Sequence, residues 1–159
     1  MHRIIAVGIV FLGLCLPMAA QKAELFGGYQ YTHFDGGGNF NGWNASLTGN
    51  FNDWLGITGD FSGVYDSGVK FHTYTFGPVL KAHTPVVQPF AHALFGGATA
   101  SGGGSSTTGF VMYYGGGLDA GMQHGIGFRV VQFDWMVLRF NGVTDKNNVR
   151  ISTGIMLKF

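Results

Sequence analysis

The sequence predicts an all-β fold, a closed barrel of eight antiparallel up-and-down strands behind a signal peptide, and three observations support this. The chain of 159 residues has 28 glycines and 15% aromatic residues, but only 11% charged residues. Apolar residues recur at every second position, which is typical of strands, and no helical spacing is sustained. Clusters of glycine, asparagine, aspartate, serine and proline separate these stretches as hairpin turns would.

Residues 1–20 are predicted to be a cleavable signal peptide, and residues 21–159 the barrel domain. The leader combines basic Arg3 with an apolar run and small residues that end at Ala20. Its apolar run is shorter than the roughly 20 residues that a membrane-spanning helix needs. The chain's single cysteine, Cys15, lies in this leader, so we expect a mature domain without thiols or disulfides.

The alternation is clearest in two stretches at opposite ends of the domain, residues 55–66 and 148–159. In the first, Leu55 and Phe61 fall on an apolar face and Asp60 falls on a polar face. The second stretch repeats this pattern. Because successive side chains of a strand point to opposite sides, both stretches are predicted to separate two different environments.

Alternation and turn signals together predict eight strands, each long enough to cross a membrane when tilted. They comprise residues 22–34, 41–51, 54–66, 70–82, 88–100, 109–121, 127–139 and 148–159. The connections 35–41, 66–69, 101–109 and 140–148 fall at one end, and 51–54, 82–88 and 122–127 at the other. Pro78 and Pro89 lie in the fourth and fifth strands, where an edge or a bulge would accommodate them.

The small number of charges predicts which face meets lipid. A soluble barrel would need many charged residues on its outer surface, and the whole chain has nine basic and eight acidic residues. We therefore expect a transmembrane barrel whose apolar face contacts lipid and whose sheet closes, because lipid cannot satisfy free backbone groups. An even number of strands then places both termini in the periplasm.

Charged residues on the polar face are predicted to fill the lumen, since eight strands leave room only for side chains. This polar network comprises Glu24, Asp60, Asp119, Asp134, Arg150 and Lys158. Lys158 is expected beside Glu24, where the last strand meets the first. The network would plug the barrel; the alternative is a narrow ion or proton path through the same groups.

Aromatic residues near the predicted strand ends indicate girdles at the membrane interfaces. The candidates are Tyr29, Tyr31, Trp54, Tyr65 and Trp135. The alternative is that they are ordinary core aromatics.

The last eight residues of the sequence resemble the β-signal that outer-membrane barrels present to the barrel-assembly machinery. Ser152, Gly154, Leu157 and Phe159 occupy its polar, glycine, apolar and aromatic positions. The whole of residues 22–159 resembles the small outer-membrane β-barrel domain family, the OmpA-like or opacity-type porin-like group. Segments that carry this resemblance include ELFGGYQY (24–31), HALFGG (92–97) and VVQFDW (130–135).

This resemblance implies a protein of the bacterial outer membrane that meets periplasmic chaperones and the assembly machinery during biogenesis. Members of the group are structural, adhesive or weakly pore-forming. We expect no peptidoglycan-binding domain after the barrel. We also expect a monomer. No nucleic-acid partner is expected, because the acidic and basic residues of the mature domain balance.

No catalytic, cofactor-binding or metal-binding residues are predicted. None of the histidines has a serine two residues away, as a deacylase-type barrel would require. His33 and Asp35 form only a two-ligand pair, and His92 is expected to be packed or hydrogen-bonded. The leading expectation is thus a non-enzymatic, structural or weakly porin-like barrel. The alternatives are a surface-binding barrel acting through loops 35–41 and 101–109, and a soluble secreted ligand-binding barrel.

Overall fold

A computed structural model describes residues 22–159, except for the side chains of Met122 and Gln123. The predicted signal peptide lies outside the described residues. Within them the chain forms eight strands: β1 (Ala23–Phe34), β2 (Gly38–Asn50), β3 (Leu55–Asp66), β4 (Val69–Lys81), β5 (Val87–Gly102), β6 (Ser105–Gln123), β7 (Ile126–Phe140) and β8 (Val143–Lys158). Each strand pairs antiparallel with its neighbours in sequence, and β8 pairs with β1. The predicted closed eight-stranded barrel is confirmed.

No helix among residues 22–159 has the length and apolar character needed to cross a membrane.

The two ends of the barrel differ in their turns. The terminal end carries Lys22, Phe159 and the connections 51–54, 82–86 and 124–125; the distal end carries the connections 35–37, 67–68, 103–104 and 141–142. Three distal turns consist of two residues that both have positive φ, for example Asn141 at 48° and Gly142 at 82°. Such turns match the twist of the strands that they join.

The bounds predicted for the distal connections 35–41, 101–109 and 140–148 are therefore wrong, because the actual connections are shorter. The serine, threonine and asparagine residues in these segments continue the hairpins as paired strands, for example Ser101 with Ser106. Tight turns with positive φ leave only two or three residues outside the sheet at each of these connections.

Pro78 and Pro89 do not mark an edge, because the closed barrel formed by residues 22–159 has none along its membrane-spanning part. Pairing between β4 and β5 is interrupted at Gly77 and Pro78 without a change of register, and it resumes at Val79 with His92. The missing N–H of Pro78 falls in this gap. Pro89 lies near the start of β5, where its carbonyl oxygen accepts a hydrogen bond from Ala82 N at 2.9 Å.

The exterior of the barrel is apolar and the interior holds the charges. Phe61 and Ile155 are 53% and 57% exposed, whereas Asp60 and Arg150 are 1% and 0% exposed. A soluble ligand-binding barrel would show the reverse arrangement. The exposed apolar side chains therefore face lipid, as the alternation predicts.

Two paired glycines, Gly28 and Gly154, lie at the seam between β1 and β8. A Cβ atom on Gly28 would lie 2.0 Å from Thr153 O, and one on Gly154 would lie 2.3 Å from Gly27 O. Only glycine fits at these two paired positions.

Candidate functional site in the barrel lumen

The lumen contains two layers with different chemistry. The charged layer, toward the terminal end and the middle, comprises Glu24, Asp60, Lys81, His92, Asp119, Arg129, Gln132, Asp134 and Arg150. The apolar layer, toward the distal end, comprises Val64, Phe71, Leu94, Ala98, Val111, Tyr113, Met136 and Leu138. The sequence pattern predicts only the charged layer.

Arg150 of β8 is the centre of the charged layer. Its Nη1 donates to Asp60 Oδ1 at 2.7 Å, and its Nε donates to Asp134 Oδ2 at 2.7 Å. Asp60 lies on β3 and Asp134 on β7, so one guanidinium ties three strands across the lumen. The ring of Tyr113 covers the guanidinium, with Cζ 3.9 Å from the ring centroid. Fully buried charges persist only when they are paired in this way.

A continuous chain of hydrogen bonds links Arg150 to the terminal end. Asp134 accepts from Gln132 Nε2 at 2.7 Å, and Gln132 Oε1 accepts from Arg129 Nη1 at 2.6 Å. Arg129 in turn donates to both carboxylate oxygens of Asp119, at 2.7 and 3.0 Å. His92 Nε2 lies 2.6 Å from the second oxygen of Asp134. As expected from the sequence, His92 is hydrogen-bonded.

Glu24 organises the terminal mouth of the lumen. Its carboxylate accepts from Lys81 Nζ and from Asn50 Nδ2, the latter at 3.0 Å. Lys158 Nζ, which the sequence predicts beside Glu24, lies 3.5 Å away. These contacts connect β1, β2, β4 and β8.

The structure thus brings Asp60, Asp134 and Arg150 together and links Asp119 to this group through Arg129 and Gln132. Glu24 and Lys158 form a separate pair. Sequence reasoning missed Lys81 and Arg129. A β-bulge explains Arg129: Val130 and Val131 both point outward, at 49% and 38% exposure, and this shifts the alternation by one residue. Lys81 was missed because the inward face of β4 also carries Phe71 and Val79, which hides its polarity.

Little space is left inside. A cavity of about 10 Å³ lies among Ser46, Lys81, His92 and Arg129, and it is large enough for about one water molecule. In the apolar layer, Phe71 contacts Phe34 edge-on with ring centroids 5.4 Å apart. Phe34, Phe40, Ala100 and Phe140 pack against the layer from its distal side.

The five girdle candidates lie on the outer surface. Tyr29, Trp54, Tyr65 and Trp135 are about half exposed, and Tyr31 is partly buried. All of them except Trp54 lie toward the distal end, and their hydroxyl or indole N–H groups are hydrogen-bonded. For example, Tyr31 Oη donates to Asn39 Oδ1 at 2.9 Å. Trp54 lies at the terminal end. Trp43, which the sequence analysis did not predict, also lies on the outer surface toward the distal end. Its Nε1 donates to Tyr65 Oη at 3.2 Å.

The residues of the predicted assembly signal lie on β8 and just after it. Leu157 and Phe159 point outward, and Phe159 is 73% exposed. Ser152 is buried in the lumen, and Gly154 lies in the β1–β8 seam.

The other histidines of residues 22–159 lie outside the lumen. His33 contacts Asn39 at 2.7 Å, and His72 contacts Tyr65 at 3.1 Å, both on the outer surface. Across residues 22–159, the structure contains no group of three His, Cys, Asp or Glu side chains able to hold a metal ion.

Comparison with known proteins identifies the class of this fold. No family model and no curated protein matches the chain. Neisserial surface protein A (NspA) superposes with a TM-score of 0.69 at 16% identity, covering 87% of this chain and 97% of that one. The N-terminal β-barrel domain of Pseudomonas aeruginosa OprF gives 0.59 at 11% identity, covering 87% and 97%. Ail, the attachment invasion locus protein of Yersinia pestis, gives 0.54 at 19% identity, covering 87% and 99%.

The chain therefore has the fold of the small bacterial outer-membrane β-barrels, as the OmpA-like resemblance predicts. This fold and the apolar exterior together indicate an integral protein of the bacterial outer membrane.

Proposed function

We propose that this protein is a non-enzymatic structural barrel of the outer membrane whose lumen is closed to solutes. The observation that supports the proposal is the filled lumen, where Arg150 joins carboxylates on two other strands beneath a packed apolar layer.

The two layers would block an ion by different means. To pass the charged layer, an ion must separate Arg150 from Asp60 and Asp134, which leaves buried charges without partners. To pass the apolar layer, it must lose its hydration among side chains such as Leu94 and Met136, which are 0% exposed and offer no ligands. The narrow ion or proton path considered from the sequence has less support, because the apolar layer interrupts it.

The position of the two termini supports a proposed orientation of the barrel. With both ends of the described chain at the terminal end, that end would face the periplasm and the distal turns would face the cell exterior. We further propose that Ser152, Gly154, Leu157 and Phe159 act as the assembly signal. Deleting Phe159 should lower the amount of protein in the outer membrane, and an unchanged amount would contradict this role.

Planar-bilayer recording tests the closed lumen. The refolded barrel should give no sustained conductance, and folding is checked by its shifted gel mobility without boiling. A variant that removes both barriers, Leu94→Ser and Met136→Ser together with Asp60→Ser, Asp134→Ser and Arg150→Ser, should conduct once its gel mobility shows that it is folded. A steady, uniform conductance of the unmodified protein would contradict the proposal.

A second candidate function is surface binding through the distal turns. A cavity of about 330 Å³ lies between two of them, lined by Gly68, Lys70 and residues 101–106. Ail, which matches this chain with a TM-score of 0.56 at 20% identity, has been solved in complex with the heparin analogue sucrose octasulfate. Lys70 is the single basic residue among those that line the cavity, so a polyanion would find little charge there. Lys70-dependent retention of cells on a heparin surface would support this function.

A further inference from the structure

Two asparagines of this chain, Asn41 and Asn141, are each followed directly by a glycine. An asparagine in this position is chemically labile, because the backbone nitrogen of the next residue can attack its side-chain carbonyl carbon. Glycine permits the attack since it has no Cβ to block the approach. Asparagine is accordingly among the thermolabile residues that heat-adapted proteins contain less often. The structure places the two Asn-Gly pairs in opposite environments.

Asn141 and Gly142 form the distal turn between β7 and β8. Strand pairing ends at Phe140 with Val143, so both turn residues lie beyond the last pair of the hairpin. Both are exposed, and both have positive φ, of 48° and 82°. A turn at the tip of a hairpin opens at little cost in free energy, because few contacts hold it in place.

Asn41 and Gly42 lie inside the paired part of β2. Asn41 is paired with Tyr31 of β1 on one side and with Tyr65 of β3 on the other. Its side-chain Oδ1 accepts a hydrogen bond from Tyr29 Oη. To free this segment, β2 must separate from both neighbours in a closed sheet, which costs a large part of the free energy of unfolding.

We propose that Asn141 is a site of spontaneous deamidation in the folded barrel and that pairing protects Asn41. Gly142 N gives its proton to hydroxide and forms a bond to Asn141 Cγ. The bond from Cγ to Nδ2 breaks, and Nδ2 takes a proton from water and leaves as ammonia. Water then opens the cyclic imide at either carbonyl carbon, so that residue 141 becomes aspartate or isoaspartate. Water is the only co-reactant, and nothing is oxidised or reduced.

The difference in rate between the two sites follows from what must open first. The imide ring fixes the torsion about the Cα–C bond of the asparagine, so the native backbone at either site must rotate before the ring closes. At Asn141 this rotation disturbs a two-residue turn, whereas at Asn41 it breaks a strand ladder. Asn141 should therefore react at least about tenfold faster. The inference goes beyond the proposed function and requires neither a closed lumen nor a given orientation.

Both products change the distal turn. Aspartate adds a negative charge at an exposed position close in sequence to Arg139. Isoaspartate also carries the backbone through Cβ and so lengthens a turn whose two residues of positive φ match the twist of the strands. The last pair, Phe140 with Val143, should therefore fray, while deeper pairs such as Trp135 with Val149 should remain intact.

The test compares the two sites within one sample. The refolded barrel in nanodiscs, with folding checked by its gel mobility without boiling, is incubated at neutral and at mildly alkaline pH. Its peptides are then analysed by mass spectrometry with electron-transfer fragmentation, which distinguishes aspartate from isoaspartate. The Asn141 peptide should gain both products at least about tenfold faster than the Asn41 peptide. The rate should rise in proportion to the hydroxide concentration, because Gly142 N must lose its proton.

The urea-unfolded chain is the control for intrinsic reactivity. Without strand pairing, both asparagines should deamidate at similar rates, which would assign their difference in the folded barrel to the structure. Equal rates in the folded barrel would overturn the proposal. So would an Asn141 that keeps its amide in the folded barrel as long as Asn41 does, whatever its rate in urea.

A pair of variants locates the reaction independently. Asn141→Gln lengthens the side chain by one methylene, so ring closure becomes unfavourable and the acidic form seen by anion exchange should no longer accumulate. Asn41→Gln is the matched variant and should leave the accumulation unchanged. Both variants should keep the gel mobility of the folded barrel. An undiminished acidic form in folded Asn141→Gln would place the reaction elsewhere and contradict the assignment.

Discussion

The charged and apolar layers fill neighbouring parts of one lumen, yet their stability has different origins. In the charged layer each group is stabilised by a particular partner, as Asp60 and Asp134 are by Arg150. In the apolar layer, Leu94 and Met136 are stabilised by close packing and the absence of water. The stability lost by a substitution in the charged layer should therefore be restored by a second substitution at its partner. The stability lost to a cavity in the apolar layer should not be restored in this way.

The largest effect is expected for Arg150→Met. Asp60 and Asp134 would remain buried without a cation, and the free energy of unfolding should fall by about 4 kcal/mol. Urea unfolding in lipid vesicles, followed by tryptophan fluorescence, measures this change. Adding Asp60→Asn and Asp134→Asn should restore most of the loss, because the uncompensated charges are then absent. If the triple variant is no more stable than Arg150→Met, the layer is not held by charge pairing.

A somewhat smaller loss is expected for Leu94→Ala in the apolar layer. Leu94 is 0% exposed, and its truncation leaves a cavity, so the same unfolding measurement should show a loss of about 3 kcal/mol. Leu94→Met, which keeps the volume, is the matched control and should cost about 1 kcal/mol or less. Equal losses for the two variants would show that packing does not determine the stability of this layer.

The same contrast explains which parts of the lumen can be predicted from the sequence. Where one face of a strand is polar and the other apolar, as around Asp60 and Phe61, the alternation predicts the fold and the direction of each side chain. In the distal halves of β5, β6 and β7 both faces are mostly apolar, as with Leu94 inside and Phe95 outside, so the alternation between polar and apolar residues is lost. The alternation of polar and apolar residues therefore cannot predict the apolar layer.

Other differences have local causes. The β-bulge at Val130 and Val131 reverses the alternation and hides Arg129, since a single extra residue moves every later side chain to the other face. The predicted distal connections are too long because serine and threonine are common in loops but here continue the strands. Asn141-Gly142 is itself a signal for a tight hairpin turn.

The smallest effect is expected at the terminal mouth, for Lys158→Met. Lys158 Nζ lies 3.5 Å from Glu24 with a side chain that is 21% exposed, and solvent screens this pair more than the deeper ones. Glu24 also keeps its bonds to Lys81 and Asn50. The free energy of unfolding should therefore fall by about 0.5 kcal/mol, and less at high salt.

Lys81→Met is the matched control for Lys158→Met, because both remove one cation from the same carboxylate. The Lys81 side chain is only 4% exposed, so its loss should destabilise the barrel more than the loss of Lys158, with a weaker dependence on salt. The reverse order would mean that the seam between β1 and β8, rather than burial, determines the strength of the contacts to Glu24. The charged layer would then be organised by barrel closure, and its deepest ion pairs would no longer be the ones most sensitive to substitution.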